Sequence, residues 1–286
     1  MKKAVCDLGE SSVNYEIAFF GGSFTAIDRE YMISLLDCTK KIVNHFKGIR
    51  ISTRPDCIDE EILNILKNYR VISIELGAQS MNNSVLELNG RGHTVDDVVR
   101  ASSLIKEYGF SLGLQMMTGL YGSDFEKDID TAEQFIKLNP DTVRIYPTVI
   151  MKDTELADFY LQGKYVPYTL EQSVKLCSKL IIMFENADIK IIRLGLHYSD
   201  SLIHNSYGNN YHPAFKELCE NAIFYQTFLE KVKGIKDSKV NVFISEKSLS
   251  KFLGQKKSNY HKLTDLGYEI EIKFDNTLDK YGLYIN

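Results

Sequence analysis

Five short stretches of this chain end in residues suited to holding a ligand: GGSFT (21–25), STRPD (52–56), ELGAQS (75–80), QMMTGL (115–120) and RIYPT (144–148). The glycine pair Gly21–Gly22 closes an apolar run. There it lets the backbone turn sharply and lets another molecule reach its N–H and C=O groups. Arg54, Glu75, Gln79, Gln115 and Arg144 bring charge and amide groups to the other four. A sheet built for packing alone has no use for such groups at every strand end, so the pattern points to a binding rim. HExxH, GxxxxGK[ST] and GxGxxG are absent, which removes the sequence case for a zincin, a P-loop kinase or a dinucleotide dehydrogenase. The cysteines, at 6, 38, 57, 177 and 219, are too far apart for a CxxC zinc site and odd in number for a disulfide framework.

The rim residues fall at the ends of predicted strands. Strands are expected over 15–20, 48–53, 71–76, 110–117 and 141–147, from their apolar and β-branched runs. Between them the spacing predicts a helix over 28–47, with Leu35, Leu36, Ile42, Val43 and Phe46 on one face. Asp59 caps the next helix, and Thr94 opens another to Tyr108, with Asp97 as a short capping-box partner. A further helix covers 123–138. Repeated βα units with continuous apolar strands imply a parallel sheet covered by helices, closed as a barrel or left open and curved. In such sheets ligands sit at the carboxyl ends of the strands, where the loops converge.

Beyond residue 150 the order changes to two helices around a tyrosine-rich turn, a strand and a long helix over 209–232. The strands KVNVFIS and YEIEIKF then flank a basic helical piece. The expected division is a barrel over 1–150 and a continuous α/β extension over 151–286. A hydrophobic fraction of 44% and a charged fraction of 25% are those of an ordinary globular chain. No apolar run approaches the ~20 residues of a membrane span, no leader is evident, and a cytoplasmic location without membrane partners is expected. The net charge of −4 recruits no polyanion globally, although KSLSKFLGQKKSNYHK (247–262) is locally basic.

The series FFGGSFT, STRPDCID, ELGAQSMNNSVLELNGRGHTVDDVVRA, LQMMTGLYGSDFEKDI and VRIYPTVIMKDTELADFYLQGKYVPYTLEQSV resembles the radical S-adenosylmethionine enzymes. Within them it is most similar to the branch of the elongator catalytic subunit, and more distantly to the oxygen-independent coproporphyrinogen oxidases. YHPAFKELCE and FLGQKKSN resemble bacterial members without the acetyltransferase domain. The resemblance implies an incomplete (βα)6, partial TIM-like barrel with an α/β C-terminal extension, and S-adenosylmethionine as cofactor. It implies that Gly21, Gly22 and Ser23 receive the methionine amino group, and that Ser52 and Arg54 stand on the rim near the ribose or carboxylate. Gln79 and Arg91 match residues that hold the methionyl carboxylate and the ribose. Gln115 stands where an aspartate meets the ribose hydroxyls in the coproporphyrinogen-type enzymes, and Ile145 and Tyr146 lie where backbone contacts adenine. His93 is a candidate substrate contact near this pocket, and His212 a residue that shapes a helix start.

Family chemistry also needs a [4Fe-4S] cluster on a CxxxCxxC loop after the first strand, and no such loop is present in this sequence. The expectation is a shortened chain that keeps the cofactor rim, or a paralogue that has lost the cluster. Without that loop, reductive cleavage of S-adenosylmethionine is not expected of this chain, and an electron donor is expected only with a cluster in a longer form. Substrates implied are tRNA or a small molecule. Two alternatives stay open: a non-catalytic barrel that binds tRNA or protein, and, with less support, decarboxylation of a coproporphyrinogen-like substrate. Catalytic residues, substrate and oligomeric state are not legible.

Overall fold

The structure is a computed structural model that describes residues 2–208, 210–235 and 237–286. Its first half runs α1 (Lys2–Leu8), β1 (Glu16–Phe19), α2 (Arg29–Asp37), β2 (Gly48–Thr53), α3 (Glu60–Asn68), β3 (Val71–Gln79), α4 (Asn83–Leu88), α5 (Val95–Glu107), β4 (Ser111–Thr118), α6 (Phe125–Leu138) and β5 (Thr142–Pro147). It continues through β6 (Ile150–Met151), α7 (Glu155–Leu161), α8 (Leu170–Asn186), β7 (Lys190–Leu194), α9 (Asp200–His204), β8 (Ser206–Tyr207) and α10 (Phe215–Lys231). The chain ends with β9 (Lys239–Ile244), α11 (Leu249–Leu253), α12 (Ser258–Asp265), β10 (Glu269–Phe274) and β11 (Leu283–Ile285). No helix among the described residues is long and apolar enough to cross a membrane.

Two compact units result: one takes the chain up to Thr148 together with Met183–Arg193, the other Val149–Ile182 and Leu194–Asn286. The first is a six-stranded sheet in the order β1-β2-β3-β4-β5-β7, with β1 to β5 paired in parallel. This is the expected incomplete (βα)6 barrel. Its strands bury one face against helices, through Ile49 and Ile51 of β2, Leu112 and Leu114 of β4, and Val143 and Ile145 of β5. Ile62, Leu63 and Leu66 of α3 and Val98, Ala101 and Ile105 of α5 are the buried helical faces.

Helix starts follow the predicted chemistry. The Asp59 carboxylate accepts from Ile62 N–H, and Thr94 and Asp97 exchange both bonds of a capping box. Against expectation, the helix after β1 ends at Asp37 and not near residue 47. The Thr39 hydroxyl bonds the Leu36 carbonyl at 2.7 Å, and the chain turns there. Ile42, Val43 and Phe46 are still buried, but from a turn and a short 3-10 segment.

The second unit holds the two-stranded β6-β8 pair and a three-stranded sheet in the order β10-β9-β11. Phe224 and Phe228 of α10 are fully buried with Val242, Ile244, Phe252 and Leu263 in its core. β11 was not expected from sequence, being only three residues long.

Candidate cofactor-binding site

Each of the five parallel strands contributes one polar side chain to the concave face, and these close into a single network. Glu75 of β3 is its hub. Arg144 of β5 grips it with both arms, Nε at 2.6 Å and Nη2 at 2.9 Å, while Arg50 of β2 donates at 3.1 Å and Gln115 of β4 at 2.8 Å. Arg50 also donates to Glu16 of β1 at 2.6 Å. Burial works against the Glu16 carboxylate, yet Arg50 and Lys47 prevail and hold its pKa below the usual value.

Glu75 is 1% exposed, and these charged and amide donors fill its lone pairs. The room for it comes from Gly113, its partner on β4. A Cβ at Gly113 would lie 2.7 Å from the Glu75 Cγ. Gln115 uses its amide nitrogen twice, on Glu75 and on the Ser52 hydroxyl at 3.1 Å. Its carbonyl oxygen is therefore the group left to accept from a ligand.

Above this floor, the loop after β1 begins with Gly21 (φ +102°) and Gly22 (φ +68°), left-handed conformations that a side chain would strain. Both are exposed, and nothing lies within 4 Å of where a Cβ would stand on either. The loop is nevertheless anchored. Phe24 stacks on Phe19 at 4.8 Å, and Thr25 Oγ1 meets Thr53 Oγ1 at 2.6 Å and donates to the Cys57 carbonyl at 2.7 Å. Phe20, just before the glycines, lies against the Arg144 guanidinium, 5.0 Å from ring centre to cation.

At the end of β3 the pairing with β4 slips: Leu76 faces Leu114, but Gln79 faces Met116. The extra residue is a bulge, which bends the strand and re-aims its last residues. Gln79 sits there at φ +65° and is buried. A Cβ built on Gly77 would lie 2.9 Å from the Gln79 amide nitrogen, 3.6 Å from the Thr53 carbonyl and 3.9 Å from Arg91 Nη2. The ends of β2 and β3 and the Arg91 loop therefore meet at one place.

Arg91 is delivered by the end of α4. Gly90 N–H bonds the Glu87 carbonyl and Arg91 N–H the Leu86 carbonyl, the paired bonds of a Schellman turn. Its Nε is buried without a hydrogen-bond partner. Burial first, and then the neighbouring Arg54 cation, push its pKa down. Arg54 spends its fork on Asp56, at 3.0 and 2.7 Å, and reaches the Gly92 carbonyl at 3.3 Å. His93 faces the Ala78 carbonyl at 3.1 Å, and burial pushes its pKa down. His212 shapes a helix approach, its Nδ1 accepting from Ala214 N–H at 3.1 Å.

Of the residues singled out from sequence, Ser52 and Gln115 are thus bonded to one another, and Gln79 and Arg91 flank one spot beside Arg54. Gly21, Gly22 and Ser23 form a separate turn tied to β2 through Thr25. Tyr146 is half-buried beside Arg144 along β5, whereas the Ile145 side chain is fully buried and leaves only its backbone available. Sequence reasoning missed Glu16 and Arg50 and gave Glu75 no role beyond the rim. The signal was present as single charges inside otherwise apolar strands.

The polar groups fit an adenosyl-methionine: open backbone at a glycine turn, a guanidinium whose buried Nε is unmatched, and an amide oxygen fixed as acceptor. They do not fit an iron–sulfur cluster. Cys177 and Cys219 are buried, with the Cys219 thiol pushed upward chiefly by burial, and Cys6, Cys38 and Cys57 are dispersed. Among the described residues no three His, Cys, Asp or Glu side chains are grouped to hold a metal ion.

Two family models match the chain: the radical SAM superfamily over residues 9–135 and the radical SAM C-terminal domain over residues 140–224. A tRNA uridine(34) acetyltransferase of Methanocaldococcus jannaschii is 31% identical over 193 residues, which are 60% of this chain and 36% of that protein. Elongator complex protein 3 of Homo sapiens is 27% identical over 198 residues, 62% of this chain and 36% of that one. The chain thus spans little more than a third of the length of these relatives. Among solved structures, an N-terminally deleted Elp3 of the archaeon Methanocaldococcus infernus superposes with a TM-score of 0.68 at 23% identity. That match covers 82% of this chain and 58% of the other, and it speaks for the fold.

Proposed function

Since this chain belongs to the radical S-adenosylmethionine superfamily, we propose that the carboxyl rim of its six-stranded sheet binds S-adenosylmethionine. The observation that carries this reading is Arg91, a half-buried cation whose Nε is buried and unpartnered, set beside Gln79 and a second cation, Arg54. Such a group is costly without an anion, and a carboxylate matches the guanidinium fork. In this assignment Arg91 and Gln79 donate to the methionyl carboxylate. The carbonyls of Gly21 and Gly22, with Ser23, accept from the ammonium group, and Arg54 and Ser52 border the sugar. Gln115 accepts from a ribose hydroxyl, while the backbone at Ile145 and Tyr146 meets adenine.

In the family, a [4Fe-4S] cluster supplies the electron that breaks the sulfonium C–S bond. The residues of this chain do not form its ligand set, and no cleavage step is assigned to them. The names of the relatives support tRNA as the macromolecule served, and the exposed Lys256 and Lys257 in the basic stretch 247–262 support it further.

Isothermal titration with S-adenosylmethionine and S-adenosylhomocysteine tests the rim. Binding is expected in the wild-type chain and is weakened by about tenfold or more in Arg91→Ala and Gly22→Val; unchanged affinity in both variants removes the assignment. Filter binding to tRNA across a salt series tests the second part, and affinity without salt dependence counts against it.

A further inference from the structure

The β9-β10-β11 sheet carries a second strand-end crevice. β9 and β10 pair in parallel, so both end on the same side, and β11 pairs antiparallel on the opposite edge of β9. The connection from β10 to β11 must therefore pass over the carboxyl end of β9. Between that connection and the turn after β9 lies a cavity of about 580 Å³, whose lining includes Ser245, Lys247, Lys251, Asn276 and Lys280. Crevices at the carboxyl ends of parallel strands are where open α/β sheets take ligands.

The lining is cationic, with three lysines against the single carboxylate of Glu246. Residues 239–286 hold eight lysines, six carboxylates and no arginine, in a chain of net charge −4. Asn276 is locked in orientation: its Oδ1 accepts from Glu246 N–H at 3.0 Å and from Ser245 Oγ at 3.3 Å, which leaves its Nδ2 as a donor. The adjacent Asp275 carboxylate is turned away onto Thr277, taking its N–H at 3.0 Å and its hydroxyl at 2.6 Å. Buried Ser248 ties the two walls by donating to the Lys280 carbonyl at 2.9 Å. Lys251 and Lys280 both approach the Tyr281 ring, at 5.4 and 4.7 Å from its centre. Both ammonium groups therefore stand close to one ring, and Glu220 lies 3.6 Å from Lys251.

We propose that this cavity binds the phosphate group of a small phosphorylated molecule of about mononucleotide size. A planar carboxylate is best met by an arginine fork, and this sheet has none. Lysine ammoniums and a fixed amide converging from two loops suit a compact, multiply charged oxyanion.

Equilibrium dialysis or calorimetry with inorganic phosphate and with adenosine 5′-monophosphate tests the site. Saturable binding is expected, weakened by about tenfold or more in the Lys247→Ala/Lys280→Ala double variant, in line with the loss of charge-assisted bonds. Asn276→Asp, which places a carboxylate in the same space, weakens it without removing a lysine. Unaltered thermal melting shows that both variants fold. S-adenosylhomocysteine affinity stays unchanged in them, so this site and the rim stand or fall separately. Binding that is equal in wild type and both variants, or no saturable binding of either probe, overturns the proposal. So does tight binding confined to an RNA oligonucleotide lacking a terminal phosphate.

Discussion

The floor and the rim of the six-stranded sheet settle their charges in opposite ways. On the floor, the charges of Glu16, Arg50, Glu75 and Arg144 answer one another, and Glu75 meets four donor atoms from three residues, Gln115 among them. On the rim, half-buried Arg91 keeps a buried, unanswered Nε while Arg54 is held apart by Asp56. The charges of the floor are matched without a ligand and those of the rim are not. A barrel of this kind separates groups that hold it together from groups that wait for something else, and mutation distinguishes them.

The largest expected effect breaks the floor. Glu75→Leu takes the carboxylate from Arg144 and leaves Arg50 with Glu16 alone, and costs about 3–5 kcal/mol of folding stability, read from the urea midpoint. A loss below about 1 kcal/mol would mean that the network is ornamental. Next comes the rim: Arg91→Ala removes about 1.5–3 kcal/mol of S-adenosylhomocysteine binding and leaves the urea midpoint unchanged or raised, because a cation with a buried, unpartnered Nε is lost. A marked fall in stability in that variant would place Arg91 with the floor. Gly22→Ala, at φ +68°, is expected to cost about 1–2 kcal/mol of stability through backbone strain, with no clash because the space is open.

The smallest effect concerns pH. His93 is held neutral by burial, so its folded pKa lies below the unfolded value of about 6.5. As pH falls from 6.5 toward the folded value, the unfolded chain takes up the proton first and stability declines. Melting temperature measured from pH 7.5 to 5.5 should slope downward with acid, and His93→Gln should flatten that slope. Glu16 acts in the same sense, but only below the ordinary carboxylate range.

Much of the fold was legible because parallel strands buried on one face read as apolar runs, and Asp59 and Thr94 announce their helices by side-chain chemistry. The break at residue 38 was not. Ile42, Val43 and Phe46 keep a helical spacing and stay buried, so periodicity cannot tell a helix from a folded-back turn that packs the same residues. β11, at three residues, carries no period at all. Gly21, Gly22 and Arg91 were named through the family resemblance, and the structure adds their conformations and contacts. The floor stayed hidden because its members lie up to 128 positions apart, from Glu16 to Arg144. One charge or amide per strand looks like an exception until the strands are laid side by side.

Gly113 adds an evolutionary corollary to that arrangement. Its missing side chain is the slot in which the Glu75 stem lies, so a larger residue there is tolerated only if the acid opposite becomes shorter, and a shorter acid lets go of the arginines. Drift at any of these positions is therefore conditional on the others, and they should be inherited as a block.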